Sequence, residues 1–277
     1  MQGQITKIIS DLYTVNSNNN FYNCKCRGIF RKEHITPLVG DYVLFDDKEL
    51  IINKILPRKN EFNRPKVANI DRAIIVTSLV EPDLDLNLLD KLLVLMELKK
   101  VEPVICLSKV DLVNTNNYQD IINYYQKYYQ VVRNRDKDKL KELFKDKTCV
   151  IIGQTGAGKS SLLNYLDKDL NLEVGEISLA LGRGKHTTRV VELFTLYQGK
   201  IMDTPGFSSL EITNYSKEEI REAFPEFKLY PCPYKDCSHT NEENCNIKEA
   251  VKNKLILASR YNDYLYLISK VGDKYEN

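Results

Sequence analysis

Residues Gly153–Ser160 read Gly-Gln-Thr-Gly-Ala-Gly-Lys-Ser, and this stretch decides the fold. It matches the phosphate-binding pattern Gly-x-x-x-x-Gly-Lys-Ser/Thr at every position, between an apolar run at Thr148–Ile152 and a helical pattern at Lys159–Leu166. The glycines let backbone N–H groups turn inward around phosphates, and the helix N-terminus adds a favourable dipole. The lysine then reaches the β- and γ-phosphates, and the serine hydroxyl binds Mg²⁺. The flanking strand and helix argue against the alternative, a chance glycine-rich turn.

Strand and helix patterns alternate on both sides of this loop. Ala73–Thr77 is a β-branched apolar run typical of a buried parallel strand, Leu86–Lys100 has helical periodicity, and Pro103–Leu107 is a second buried strand. The same patterns predict helices at Tyr118–Tyr128 and Asp138–Leu143, and strands at Val190–Leu196 and Gly199–Met202. This alternation predicts a three-layer α/β domain with a mostly parallel sheet.

The stretch Ser108-Lys-Val-Asp111 follows the second buried strand and is similar to the guanine-reading element Asn-Lys-x-Asp. Asp111 is decisive, because a carboxylate only accepts hydrogen bonds and so matches the N1–H and N2–H₂ donors of guanine. Adenine offers an acceptor at N1 instead. The stem of Lys109 is expected to pack along the base. Serine replaces the usual asparagine at position 108, and we expect its shorter side chain to brace the neighbouring loops less. The alternative is an ordinary turn at a strand end.

The stretch Asp203-Thr-Pro-Gly206 fits the Asp-x-x-Gly element of GTPases. Asp203 is expected to hold Mg²⁺ through water, and the Gly206 amide to sense the γ-phosphate. Ordinary GTPases run from phosphate loop to switches to base reader, whereas here the base reader comes first. A sheet tolerates this order if the termini of the parent domain were adjacent. The order therefore predicts a circularly permuted GTPase domain, whose second switch leads directly into the C-terminal module.

Between these two elements lies Leu181-Gly-Arg-Gly-Lys-His-Thr-Thr-Arg189. A threonine here can close over Mg²⁺ when the γ-phosphate is present, and Thr188 is the first candidate and Thr187 the second. Phe207 follows the Asp-x-x-Gly element and cannot orient an attacking water as a polar side chain could. His186 is the nearest substitute, with a surface-loop histidine as the alternative.

Four metal-binding side chains cluster near the C-terminus, with the spacing Cys232-x₄-Cys237-x-His239-x₅-Cys245. Three thiolates and an imidazole suit a closed, structural, tetrahedral Zn²⁺ site. A small irregular segment gains from such a metal because it has little core of its own. Unrelated reduced cysteines are the alternative. A helix at Lys217–Ala223 precedes the cluster, and a closing helix at Ile247–Lys270 follows it.

The first 66 residues predict a small β-barrel, with the five-stranded OB-fold as the natural candidate. The candidate strands, which turn-forming residues separate, are Gln4–Ile9, Leu12–Val15, Asn23–Gly28, Asp41–Phe45 and Leu50–Ile55. This region holds 11 Lys or Arg residues against 7 Asp or Glu residues, in a chain of net charge +2. The excess permits nucleic-acid contact, although the charge on its own favours ordinary solvated charge.

The bulk composition is that of an ordinary globular protein, with 43% hydrophobic and 28% charged residues. No apolar run approaches the roughly 18 residues of a membrane span. The first residues, Met-Gln-Gly-Gln, lack the basic and apolar regions of a secretory signal, so a cytoplasmic protein is expected.

Taken together, these motifs resemble the RsgA (YjeQ/YloQ) family, the small-subunit-dependent GTPases of bacteria. The likeness spans nearly the whole chain. Its motifs are Pro37–Asp41, Arg58–Pro65, Val67–Asp71, Gln154–Ser161, Gly184–Thr188, Asp203–Phe207 and the Cys/His cluster. One departure beside Ser108 is that the small-residue base-contacting loop of the family is not recognisable in Val131–Arg135.

The resemblance implies an OB-fold domain at residues 1–66, a permuted GTPase domain at 67–215 and a zinc domain at 216–277. It implies a role in late maturation of the 30S subunit with its 16S rRNA, with GTP hydrolysis stimulated by the subunit and tied to release. A monomer is also expected. It makes His186 the catalytic residue, and Cys232, Cys237, His239 and Cys245 the zinc ligands. Ser160, Thr188 and Asp203 are the Mg²⁺ candidates. The nucleotide-binding candidates are Ser108, Lys109, Asp111, Gly153, Gln154, Thr155, Gly156, Ala157, Gly158, Lys159, Ser160, Ser161, Thr187, Thr188, Asp203 and Gly206.

Two other classes of function stay open on the sequence. One is a non-catalytic, nucleotide-dependent RNA-binding switch, in which RNA is held by backbone charge and stacking. The other is a phosphate-loop kinase of small molecules. The candidate RNA-contacting charges are Arg27, Arg31, Lys32, Arg58 and Arg64.

Overall fold

The structure, a computed structural model, describes residues 1–28, 30, 35–63, 65–167, 191–203 and 212–271, with only the backbone of Asp203. The chain divides into two compact units. Unit 1 comprises the described residues of Met1–Ile74, Asn134–Ile152 and Gly158–Ser208. Unit 2 comprises those of Ile75–Arg133, Gly153–Ala157 and Ser209–Asn277. Each unit therefore gathers segments that are distant in the sequence.

Unit 1 begins with a closed five-stranded barrel, as predicted. Its order is β1-β2-β3-β5-β4, with β1 also paired to β4. All pairs are antiparallel except β3 with β5. Alternate residues point inward, and their apolar side chains, among them Ile5, Val15 and Phe45, form one core cluster. The strands are β1 (Gln2–Ile9), β2 (Leu12–Ser17), β3 (Asn20–Cys26), β4 (Tyr42–Asp46) and β5 (Ile51–Ile55).

The rest of unit 1 surrounds the strand that leads to the phosphate loop. A hairpin that the sequence patterns did not predict joins β6 (Glu61–Asn63) to β7 (Lys66–Ala68). The strand order continues from β11 (Thr148–Gly153) through β13 (Gly199–Asp203) and β12 (Glu192–Leu196) to β1 of the barrel. Strand β13 is parallel to β11 and antiparallel to β12. The helices of this part are Lys137–Phe144 and Lys159–Leu166.

Unit 2 contains the base-reading half of the GTPase and the C-terminal segment. Strand β8 (Arg72–Ser78) carries the chain from unit 1 into unit 2, where it neighbours β9 (Glu102–Ser108), which in turn neighbours β10 (Gln130–Arg133). Strands β9 and β10 are parallel. The helices in chain order are α1 (Leu86–Leu98), α2 (Gln119–Gln126), α3 (Lys137–Phe144), α4 (Lys159–Leu166), α5 (Lys217–Glu222), α6 (Asn246–Lys252) and α7 (Ala258–Ile268), of which α3 and α4 belong to unit 1. Short 3₁₀ helices span Thr115–Tyr118 and Pro225–Leu229.

The prediction of one closing helix over Ile247–Lys270 was wrong, since the segment forms α6 and α7 with a turn between them. Lys254 has a positive φ of 59°. The Leu255 N–H donates to the carbonyl of Ala250, and the Lys254 N–H donates to that of Val251. This pair of hydrogen bonds is a Schellman motif, which can end a helix even without glycine. Apolar periodicity continues across the break because Ile256 is fully buried there.

Among the described residues, no helix is both long and apolar enough to cross a membrane.

Candidate functional site

The phosphate loop begins where β11 meets the backbone of β8. Gly153 has a φ of +136°, and a Cβ at this position would lie 2.0 Å from the carbonyl oxygen of Val76. No other residue fits without moving the backbone, because the close contact is with main chain and the conformation is one that side chains rarely adopt. The first glycine of the loop is therefore fixed by a close approach as well as by turn geometry.

The loop ends in the first turn of α4. Gly158 has a φ of +92° and is the N-cap of this helix, with its carbonyl accepting from the Leu162 N–H at 2.9 Å. Lys159 and Ser160 thus occupy the first turn, where free backbone N–H groups favour an anion. Burial lowers the pKa of Lys159. A bound phosphate would oppose that shift, since a nearby anion favours the charged ammonium.

Ser108, the last residue of β9, is bonded to the phosphate loop. Its side chain is buried, and its hydroxyl donates to the carbonyl oxygen of Ala157 at 2.5 Å. The carbonyl oxygen of Thr77 lies 3.3 Å from the same hydroxyl. Ser108 therefore contacts the phosphate loop directly.

The segment Leu79–Asp85 connects the base reader with the phosphate loop. The ammonium of Lys109 donates to the carbonyl oxygen of Glu81 in this segment. Pro82 lies against the phosphate loop, since its Cδ is 3.5 Å from where a Cβ on Gly156 would be. Sequence patterns did not single out this segment, because main-chain carbonyls and a loop proline carry no motif.

The strand β10 ends next to the predicted base reader. Val131 pairs with Ile105, and Arg133 pairs with Leu107, immediately before the base reader. Parallel strands in register end at the same edge of a sheet, so β10 ends beside Ser108. The register therefore brings Arg133 beside Leu107, just ahead of Ser108.

Several predicted residues lie outside the described part of the chain. They are His186, Thr187, Thr188 and Gly206, together with Arg31, Lys32 and Arg64 of the RNA candidates. Asp203 ends β13, and only its backbone is described. The roles of these residues stay predictions.

Arg58 is committed to the fold and is not a free charge for RNA. Its Nε and one terminal nitrogen donate to the two carboxylate oxygens of the buried Asp41, at 2.7 and 2.8 Å. It also donates to Glu61 and to the carbonyl oxygen of Thr36. The bond to Asp41, which outweighs burial, raises the pKa of Arg58. Of the five candidate charges, this one acts within the protein.

Three cysteines and one histidine of unit 2 converge on one point. The ligand atoms of Cys232, Cys237, His239 and Cys245 all lie within 4.8 Å of one another. The Cys232 Sγ is 3.4 Å from Nδ1 of His239 and 3.7 Å from Sγ of Cys245. This spacing fits four ligands around one metal ion, so the predicted residues form a cluster that could hold one.

Burial shifts the protonation of the cluster toward its neutral forms. Burial raises the pKa of Cys237 to about 12 and raises that of Cys245, while it lowers the pKa of His239. Burial without a metal thus favours neutral thiols and a neutral imidazole. A divalent cation compensates the charge of thiolates, and its binding displaces their protons.

The backbone around the cluster is ordered by side chains from neighbouring segments. Glu242 accepts from the N–H groups of Ser238 and Thr240, at 2.5 and 2.9 Å. Burial opposes these bonds, but they lower the pKa of Glu242 to about 2. Tyr261 and Tyr264 of α7 donate to the carbonyls of His239 and Ser238, both at 2.6 Å. The backbone of the cluster is therefore held by α7 and by Glu242.

Comparison with known proteins agrees with this architecture. The RsgA N-terminal domain family matches residues 2–50, and the RsgA GTPase family matches residues 55–213. The chain is 47% identical to "Small ribosomal subunit biogenesis GTPase RsgA 2" of Oceanobacillus iheyensis, over 98% of the chain and 97% of the relative. It is 40% identical to "Small ribosomal subunit biogenesis GTPase RsgA" of Bacillus subtilis, over 99% of the chain and 98% of the relative.

Two solved structures share the whole fold. YjeQ from Thermotoga maritima superposes with a TM-score of 0.82 at 32% identity, covering 97% of both chains. YloQ, described as a circularly permuted GTPase, superposes with a TM-score of 0.78 at 35% identity, covering 97% of this chain and 94% of YloQ. With its base reader ahead of its phosphate loop and its matches along nearly the full length, the chain belongs to the RsgA family of circularly permuted GTPases.

Proposed function

We propose that this protein acts in late maturation of the small ribosomal subunit, hydrolysing GTP to GDP and phosphate with stimulation by the subunit, and leaving it after hydrolysis. The observation that carries the proposal is the junction of base reader and phosphate loop through Ser108 and Ala157. The names of the relatives from Oceanobacillus iheyensis and Bacillus subtilis support the ribosomal role.

The proposed roles follow the chemistry of the residues. Asp111 accepts from the guanine N1–H and N2–H₂ groups, and Lys109 packs along the base. Lys159 and the backbone N–H groups of Gly153–Ser160 bind the phosphates. Ser160, Asp203 and Thr188 would hold Mg²⁺, which neutralises charge that develops on the phosphate oxygens.

Hydrolysis needs a group that orients the attacking water. Phe207 follows the Asp-x-x-Gly element and has no polar group to do so. We assign this task to His186, with Thr188 as the threonine that closes over the metal and Thr187 as the second candidate. An imidazole can accept a hydrogen bond from water and align it for attack on the γ-phosphate.

The Cys232, Cys237, His239 and Cys245 site is proposed to hold structural zinc. The four protein ligands complete a tetrahedron and leave no position for a reacting water. The proposed domains are an OB-fold at 1–66, the GTPase at 67–215 and the zinc domain at 216–277. The proposed partner is the 30S subunit with its 16S rRNA, and the proposed state is a cytoplasmic monomer.

The test is GTP hydrolysis by the full chain with and without 30S subunits, with ATP as the control nucleotide. We expect the subunit to stimulate hydrolysis of GTP but not of ATP. The His186→Ala variant should lose this stimulation while its GTP binding is unchanged. Absence of stimulation together with an unaffected His186→Ala variant would instead favour the non-catalytic RNA-binding switch.

A further inference from the structure

A buried charge cluster in unit 2 joins the C-terminal segment to the base-reading half. The guanidinium of Arg260, on α7, is fully buried. It donates to Glu226 at 2.6 Å, to Asp90 of α1 at 3.1 Å and to the hydroxyl of Tyr129 at 3.1 Å. Its plane also lies 4.3 Å from the ring centroid of Phe224. Since a buried charge is costly unless it is paired, these partners fix the relative position of α1 and α7.

Further contacts continue this connection along one face of α1. Asn87 donates through its side-chain amide to Asp263 of α7. The ammonium of Lys91 lies 4.6 Å from the ring centroid of Tyr266 on α7. Val94 belongs to the apolar core of the C-terminal segment. Residues 87, 90, 91 and 94 form a single helical stripe at the spacing i, i+3, i+4, i+7, so α1 presents one continuous face to α7.

The N-terminal end of α1 lies beside the loops that are proposed to bind the nucleotide. Helix α1 begins after Asp85, whose side chain accepts from the Leu88 N–H at 2.9 Å. The segment just before it, Leu79–Asp85, receives the ammonium of Lys109 at Glu81 and touches the phosphate loop with Pro82. A shift of α1 along α7 would therefore move the partner of the base-reading lysine and the support of the phosphate loop together.

We propose that Asn87, Asp263 and Arg260 are positioning residues for guanine-nucleotide binding, through which the C-terminal metal module holds α1 and its preceding loop in place. This inference rests on the proposed function, because it assumes that Lys109 and the phosphate loop bind GTP. It adds a route from the metal module to the base-reading side of the site, separate from the chain connection after Asp203. Since none of these three residues touches the nucleotide-binding loops directly, their effect passes through α1.

The test is the affinity of the full-length protein for a fluorescent GDP analogue, with a thermal unfolding midpoint measured on each variant. Asn87→Ala removes the contact nearest the start of α1 and leaves the buried carboxylate of Asp263 without this donor. We expect its dissociation constant to rise about 3- to 10-fold, as coupled contacts of this kind do. Asp263→Ala should give the same rise, and the double variant should give no more than either single variant. Hydrolysis at saturating GTP with 30S subunits should keep its kcat, so that the change appears in KM.

The matched control is Asn123→Ala on α2, where the same change removes an exposed side-chain hydrogen bond to Gln119 of 2.7 Å. It should leave the dissociation constant unchanged. Arg260→Met is a second probe that leaves Asp90 and Glu226 without their shared partner, and it should also raise the dissociation constant. A lower unfolding midpoint in Asn87→Ala and Asp263→Ala with unchanged nucleotide affinity would overturn the proposal. If the unmodified protein failed to bind the analogue at all, the proposed function would fail first.

Discussion

Ser108 and Gly153 illustrate how single residues set the geometry of the nucleotide site. The Ser108 hydroxyl reaches the Ala157 carbonyl, so a residue that departs from the usual base-reading pattern still binds the two loops together. Gly153 allows the phosphate loop to start against the Val76 carbonyl. In the proposed function, the choice of base rests on the hydrogen-bonding character of one side chain, Asp111.

Asp111→Asn should exchange guanine selectivity for xanthine selectivity. The carboxamide presents one donor and one acceptor, which suits the N1–H donor and O2 acceptor of xanthine and mismatches the guanine N2 amine. A mismatch of this kind costs about 1–3 kcal/mol, or roughly 5- to 150-fold in affinity. Competition binding of GTP and XTP to both proteins measures the exchange.

ATP serves as the control ligand for this variant, because its affinity should not improve. A variant that kept its preference for GTP would remove Asp111 from the base-reading role. Such a result, together with phosphate transfer to a metabolite, would favour the small-molecule kinase.

At the scale of elements, helix α1 is defined by what it packs against as much as by its own residues. Its apolar periodicity predicts a helix, and the structure places the boundaries at Leu86 and Leu98. The same helix carries Asp90, which is fully buried and accepts from Tyr125 at 2.5 Å. Arg260 faces Asp90 and Glu226 at once, so one guanidinium serves two carboxylates. Such an arrangement makes one of the two carboxyl groups easier to protonate.

Asp90→Asn should change the pH dependence of stability. Burial, opposed by Arg260 and Tyr125 and reinforced by Asp263, raises the pKa of Asp90 to about 7. The folded state therefore holds a proton that the unfolded state has already released, and stability falls as pH rises between about 4 and 7. The slope from this group is at most about 1.4 kcal/mol per pH unit. We expect the variant to lack this slope.

Urea unfolding at several pH values measures this slope, as the difference in the free energy of unfolding between the unmodified protein and Asp90→Asn. Groups that titrate in both, including the metal ligands, cancel in that difference. A difference in stability that stays constant with pH would mean that Asp90 is ionised throughout the range. The Tyr125→Phe variant, which leaves the carboxyl in place, should retain the slope.

At the scale of the whole molecule, the two compact units do not follow the order of the motifs along the chain. Unit 2 gathers the base reader, Gly153–Ala157 and the metal cluster. Cys237 and Cys245 belong to the same apolar core as Val94 of α1 and Ile220 of α5. A metal bound at the cluster would therefore stabilise a core that the base-reading half shares, although the chain reaches it only at its end.

Removal of the metal should destabilise this core. We expect one zinc ion per chain by elemental analysis, and its loss in strong chelator should lower the unfolding midpoint. A loss of a few kcal/mol corresponds to at least about 5 °C at this chain length. Cys245→Ala should lose the metal and show the same decrease.

Cys26→Ala, in the barrel and outside the cluster, is the matched control and should keep its zinc. An unchanged midpoint after complete removal of the metal would show that the cluster adds nothing to stability. Iron in place of zinc in the purified protein would correct the identity of the ion but not the site.

The sequence by itself determined what is local or depends on order. The position of Asp111 before Gly153 established the permuted architecture, and the alternating barrel strands and the span of α4 followed from periodicity and turn residues. The spacing from Cys232 to Cys245 identified the metal ligands because they lie close along the chain. These features need only neighbouring residues, whose backbone preferences and side-chain types are visible in any short window.

Only the tertiary structure decided which distant groups meet. Arg260 joins Asp90 across 170 positions, and Ser108 joins Ala157 across 49. A lone buried arginine or serine has the same residue type as an exposed one, and its partner is chosen by how helices and strands pack. The turn at Lys254 was missed for the same reason, since burial of Ile256 preserved an apolar pattern across a helix end. Burying a charged or polar group costs free energy, and this cost is offset only when the whole fold brings its partner beside it. Long-range packing therefore selects such partners.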